Sequence, residues 1–151
     1  MQNDLEYRLF KEEQSLAPIS KRAFAFFVDK LLLSFIVFAA MGDKLPQNAS
    51  FMQIVEFFNN TLLFTTVVEI AYQGIFTKLY GATLGKMLVK IRVVDIQMLD
   101  TPSWAASFLR ASMRFFSEAL FYLGFVWAIF DPVKQGWHDK FAKTLVLNNA
   151  I

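Results

Sequence analysis

The 151-residue chain has no cysteine and a single histidine. Without cysteine there are no disulfides, no thiolate nucleophile and no Cys-ligated zinc or iron–sulfur centre. One histidine excludes a multi-His metal site. An excess of one charge is missing too. Lys and Arg number 15 against 13 Asp and Glu, a formal net charge of +2, so no field suited to nucleic acid arises. The first twenty residues mix Asp4, Glu6, Arg8, Lys11, Glu12 and Glu13 and contain no apolar core segment, so a cleaved secretory signal is not expected. His138-Asp139 is half of a catalytic relay, but no nucleophile elbow or third member accompanies it. The chain is therefore read as a non-enzyme that needs no cofactor and no metal, and the pair as a turn whose aspartate bonds nearby backbone.

Apolar sequence is abundant. Hydrophobic residues make up 56% of the chain and phenylalanine alone occurs 18 times, a composition ordinary for a membrane protein and high for a soluble one. The stretch 21–41 approaches the roughly 20 apolar residues a helix needs to cross a bilayer. Its Leu, Ile, Phe and Val side chains favour insertion by about 5 kcal/mol together, while Asp29 and Lys30 oppose it by roughly 2.5–3.5 kcal/mol each. These contributions nearly cancel, so this helix needs company. Arg22 and Asp29 share one face, about 10 Å apart along the axis. Adjacent residues point to different sides, so Asp29 and Lys30 each require a separate partner. A helix starting near residue 20 would put Asp29 about 14 Å deep, close to the middle of the hydrocarbon layer.

A second apolar run, about 51–76, carries a polar line through Glu56, Asn59, Thr66, Glu69 and Gln73 at helical spacing. Residues 88–95 and 144–147 alternate or cluster β-branched and apolar residues and predict two strands. Between them, Pro102 and Pro132 bracket a third apolar segment with Ser103, Ser107, Arg110, Arg114 and Ser117 on one stripe, and Glu118 in reach of Arg114. At about 45 Å as helix, 102–131 is long for one crossing and short for two. A bent or hairpin pair breaking near Gly124 is expected.

Basic residues in the tail, the middle loop and the C-terminal segment place the N-terminus in the cytoplasm and favour an even number of crossings. The expected architecture is an all-α membrane protein, a small bundle of three to four transmembrane helices with a minor cytoplasmic β-hairpin-like element. Residues 1–19 form a cytoplasmic tail or short surface helix, and 20–151 a single transmembrane domain. Trp104, Trp127, Trp137, Tyr72 and Tyr80 read as interface anchors. Gly81-x-x-x-Gly85-Lys86 is one residue short of a phosphate loop and has Met87 in place of Ser or Thr, so it reads as a glycine turn into the strand. Asn48-Ala49-Ser50 fits a glycosylation acceptor only in a secretory-pathway host.

Arg22-Ala23-Phe24 with Asp29, Gly81-Ala82-Thr83-Leu84-Gly85-Lys86 leading into Ile91-Arg92-Val93-Val94-Asp95, Arg110, and Gly136-Trp137-His138-Asp139-Lys140 followed by Ala142-Lys143-Thr144-Leu145-Val146 occur in order. Together they resemble the RDD family of membrane proteins, over about residues 20–147. The family takes its name from one arginine and two aspartates. The resemblance implies that Arg22 is that arginine and Asp29 the first aspartate. Asp139 is the best match for the second, with Asp131 and Asp95 as alternatives. Lys30 is outside the family pattern. The resemblance also implies a transport-related role, with sodium/proton exchange linked to some members and accessory-subunit roles to others. A compact, charged-tail, multi-pass chain without a targeting segment is expected in a bacterial inner membrane.

Charge inside a membrane is a functional hypothesis by default because it is expensive to keep. The candidate site residues are Arg22, Asp29, Glu69, Arg110, Arg114, Glu118 and Asp139. In one reading Asp29 faces Glu69 and forms a cation or proton site. In the plainer reading, favoured for Arg110, Arg114 and Glu118, these groups pair to hold the helices together. Expected partners are the lipid bilayer, a monovalent cation or proton, and a second copy or another membrane protein; nucleic acid is not expected.

Overall fold

The structure is a computed structural model that describes residues 2–44 and 47–148, without the side chains of residues 2 and 3. Leu45 and Pro46 of the expected polar loop, and the last three residues of the expected domain, lie outside the described part. Seven α-helices and two strands follow in the order α1 (Gln2–Lys11), α2 (Ile19–Met41), α3 (Phe51–Tyr80), α4 (Leu84–Leu88), β1 (Ile91–Asp95), α5 (Trp104–Ala119), α6 (Leu123–Phe130), α7 (Trp137–Ala142) and β2 (Thr144–Asn148).

Two segments, Ile19–Lys44 and Phe51–Tyr80, are long and apolar enough to cross a membrane. Their entry points follow the local sequence. Pro18 precedes α2, where a missing N–H is harmless. Ser50 and Gln53 form a reciprocal cap on α3, the Ser50 amide donating to Gln53 Oε1 at 2.9 Å. Gly81, in the left-handed region at φ 68°, ends α3. Many of the phenylalanines point outward, among them Phe24, Phe27, Phe35, Phe38 and Phe58. That is the surface a hydrocarbon solvent requires.

β1 and β2 pair antiparallel with Val93 opposite Val146. The chain just before α2 joins them: Leu16 bridges Leu147, and the Ala17 amide donates to the Val146 carbonyl at 2.9 Å. The apolar stripe Leu5 and Leu9 of α1 packs on Val94, Leu99, Leu145 and Leu147. Arg8 donates to the Ile96 and Gln97 carbonyls at 3.1 and 2.5 Å. Residues before α2 are thus stitched to the sheet. Ala17 and Ala25 close its other face over Ile91, Val93 and Val146.

One feature differs from the sequence expectation. The first half of the anticipated strand 88–95 is not strand, because Thr83 begins a short helix, α4, ahead of it. The third apolar segment is a bent pair that breaks at residues 120–122, near Gly124 as expected. Phe121 and Tyr122 take φ values of 53° and 62°, and α5 and α6 meet at 103°. Gly124 serves a different purpose: a Cβ there would sit 2.2 Å from Ser117 Oγ, so its bare backbone lets α6 fold back onto α5.

Candidate functional site

Many of the polar residues of α2, α3 and α5 face one another between the helices, in three groups. The first is centred on Asp139, in the first turn of α7 and 0% exposed. Its Oδ1 accepts from Arg110 Nε and Nη2 at 2.9 and 2.7 Å, and its Oδ2 from Arg22 Nη2 at 2.5 Å. The Gly136 amide donates to Oδ2 at 3.2 Å, capping α7 with the same carboxylate. Arg22 also donates to the Lys134 carbonyl. Two guanidiniums therefore share one carboxylate, and α2, α5 and α7 are tied through it. Burial alone would raise the Asp139 carboxyl, but Arg110, with His138 and Arg22 after it, holds it well below the usual carboxylate range.

His138, its neighbour, is also buried, with Nε2 3.5 Å from Asp139 Oδ2. Burial pushes the imidazole well below its ordinary value. Asp139 opposes this, while Arg110, Arg114 and Arg22 reinforce it. The ring is neutral at neutral pH. Of the alternatives for the second aspartate, Asp131 receives Lys140 and caps Val133 and Gln135 through their amides. Asp95 accepts from the Gln97 and Met98 amides in the turn after β1. Among these aspartates, only Asp139 meets Arg22.

The second group surrounds Asp29, 1% exposed. Tyr72 Oη donates to Oδ1 at 2.7 Å, Thr83 Oγ1 to Oδ2 at 2.6 Å, and the Gly85 amide to Oδ1 at 2.9 Å. Tyr72 Oη in turn accepts from the Leu84 amide at 3.0 Å. Asp29 and Tyr72 thus satisfy the backbone donors that the start of α4 leaves unpaired. The approach is close: a Cβ on Gly85 would lie 2.2 Å from the Ala25 carbonyl oxygen. Tyr72, expected as an interface anchor, is instead a ligand of this carboxylate. Thr83 and the Gly85 amide carried the most telling sequence signal that was missed, a Thr-x-Gly helix start directly after α3.

Glu69 does not face Asp29. It belongs to the third group, in which Lys30 Nζ lies 2.7 and 2.8 Å from the Glu69 oxygens and 2.6 Å from Glu118 Oε2. Arg114 Nε reaches Glu118 Oε1 at 3.4 Å, the helical pair foreseen from spacing, and Arg114 Nη1 donates to Gln73 Oε1 at 3.0 Å. Asp29 and Lys30 thus diverge to separate partners, as adjacent helical residues must. Among the described residues no group of three or more His, Cys, Asp or Glu is placed to hold a metal ion.

Apolar helices of spanning length, a buried ionic cluster and a small sheet at one end define a helical membrane protein. The RDD family model matches residues 16–143, and the chain belongs to the RDD family. It is 32% identical over 87 residues to "Uncharacterized membrane protein YteJ" of Bacillus subtilis (strain 168), covering 58% of this chain and 52% of that protein. It is 29% identical over 92 residues to "Uncharacterized protein RP437" of Rickettsia prowazekii (strain Madrid E), covering 60% and 51%. The matched region spans about half the length of these curated relatives. No solved structure matches the chain.

Proposed function

We propose that this protein is a multi-pass inner-membrane accessory or assembly subunit, without enzymatic activity, that binds a helix of another membrane protein along α3. The observation that carries this is the bare outer half of α3. Glu56, Asn59 and Asn60 are exposed there, without a hydrogen bond or ion pair to the described chain. Asn59 and Asn60 begin roughly 14 Å from the start of the helix. Lipid offers such amides nothing, whereas a polar residue on a neighbouring helix satisfies them at about 0.6–2 kcal/mol each.

The sheet supports an arrangement in the membrane. Residues 15–17, β1 and β2 lie together, which favours a return of the segments between them to the same side. α2 and α3 supply two crossings between the first pair. α5 and α6, roughly 24 and 12 Å long, are too short to cross singly, and their 103° bend fits a re-entrant pair. Two full crossings and one re-entrant pair, with the N-terminus and sheet cytoplasmic, agree with the basic residues Arg8, Lys11, Lys90, Arg92, Lys140 and Lys143 at that end.

The test is affinity purification from native membranes. A stoichiometric membrane-protein partner retained by the native chain and lost on the double change Asn59→Leu, Asn60→Leu is the expected result. A chain that purifies alone or as a homo-oligomer, and moves ions in proteoliposomes, overturns it. That outcome would favour transport, for which one feature speaks: Lys30, partly exposed, bridges Glu69 and Glu118, a site where a monovalent cation or proton can compete with the ammonium. Flux abolished by Glu69→Gln and Glu118→Gln would identify that reading.

A further inference from the structure

A cavity of about 250 Å³ opens between α2, α4, α5, α6 and α7. Four cationic side chains line it: Arg22, Lys86, Arg110 and Arg114. No carboxylate is among the described residues lining it. The nearby anions are already committed. Asp139 is divided between Arg22 and Arg110, Asp29 is filled by Tyr72, Thr83 and Gly85, and Glu118 holds Lys30. Lys86 is 5% exposed and its Nζ has no hydrogen-bond partner; Arg114, which also lines the cavity, has an unpartnered Nη2. A buried ammonium without a counter-ion is costly, far more than an unpaired neutral donor. Burial, then Arg110 and Arg114, push the Lys86 amine well below its usual range, and Asp29 pulls it back.

The rest of the wall is apolar. Phe26, Phe125, Val126 and Ile129 line it, and Val126 and Ile129 continue onto the exposed face of α6. The Arg114 guanidinium lies 4.8 and 5.5 Å from the Phe26 and Phe125 ring centres, so two of the cavity's aromatic walls meet one of its cations. The volume is below the ~300–1,000 Å³ of sites that enclose a drug-sized molecule. It admits a head group and leaves a chain to run out along α6. Basic pockets between membrane helices are suited to such head groups.

We propose that this cavity binds the phosphate of an anionic acyl lipid, with Lys86 and Arg114 donating to its oxygens and the acyl chains lying on α6. The site is separate from the α3 face assigned to a partner helix. The test is thermal unfolding of the full chain in a neutral detergent, titrated with short-chain phosphatidylglycerol, phosphatidylcholine or inorganic phosphate at constant ionic strength. Phosphatidylglycerol should raise the midpoint while the other two leave it unmoved. Lys86→Met should keep or raise the ligand-free midpoint, since it removes a buried amine that has no hydrogen-bond partner, and should weaken the lipid response at least about tenfold. Lys86→Arg should retain part of the response and exposed Lys11→Met all of it. Equal stabilisation by phosphatidylcholine, a full response to inorganic phosphate alone, or an undiminished response in Lys86→Met would each overturn the proposal.

Discussion

Asp139 and Asp29 are both fully buried carboxylates that accept a backbone amide at the start of a short helix, yet they are satisfied in opposite ways. Asp139 belongs to the helix it caps and faces two guanidiniums. Asp29 comes from a different helix, caps α4 from outside, and meets a phenol, a threonine hydroxyl and an amide, all neutral. The first arrangement binds three helices by charge. The second fixes the docking of one short helix on α2 by hydrogen-bond geometry. Burial of an acidic group is therefore not in itself a sign of an ion site, because neutral donors can saturate a carboxylate as fully as cations do.

The largest effect should come from Asp139→Asn. It leaves Arg110 and Arg22 without a counter-charge, and breaking a buried pair from one side costs about 3–5 kcal/mol. Monodisperse protein in detergent should be lost or its thermal midpoint should fall furthest of any single change described here. A midpoint within a degree or two of the native chain would remove the distinction between the two carboxylates.

Asp29→Asn should cost less, about 1 kcal/mol. The Asn oxygen keeps two donors, and the Thr83 hydroxyl can turn to accept from the new NH₂ group. Equal damage from the two Asn substitutions would mean that Asp29 carries a charge-specific role absent from its hydrogen bonds.

The smallest effect is a pH dependence. The folded protein keeps His138 neutral, with a value below its unfolded one of about 6.5. The unfolded chain therefore takes up the proton first as pH falls. Stability present above about pH 6.5 is lost progressively below it, and Asp139, also depressed, extends the loss in more acid solution. Midpoints measured from pH 8 to 5 should decline, and His138→Gln should flatten the upper part of that decline. A midpoint that rises on acidification would contradict a neutral buried ring.

Much of this was legible in the residue pattern. The apolar runs gave both long helices, β-branched alternation located most of β1, and the separation of Asp29 from Lys30 followed from helical geometry. The Arg114–Glu118 pair followed from spacing. What escaped was long-range. Thr83-Leu84-Gly85 is only a faint local sign of the five-residue helix 84–88, because its amides are answered by side chains from α2 and α3 and not by local caps. The partners of Asp29 are long-range in the same way: Thr83 and Gly85 belong to a connecting segment beside the sheet. The bend near Gly124 was legible, but its means was not: two aromatic residues, Phe121 and Tyr122, take the left-handed backbone and the glycine is reserved for contact with Ser117.

The seam formed by residues 15–17, β2 and β1 also has a bearing on biosynthesis. At about 5–20 residues per second, the ribosome needs roughly 3–10 s after finishing β1 before Asn148 is made. For that interval Val93 and Val94 sit on an unpaired strand edge, the kind of surface that recruits stray chains. The amphipathic α1, already translated and carrying Leu5 and Leu9, is the piece at hand to shelter it until the last strand arrives.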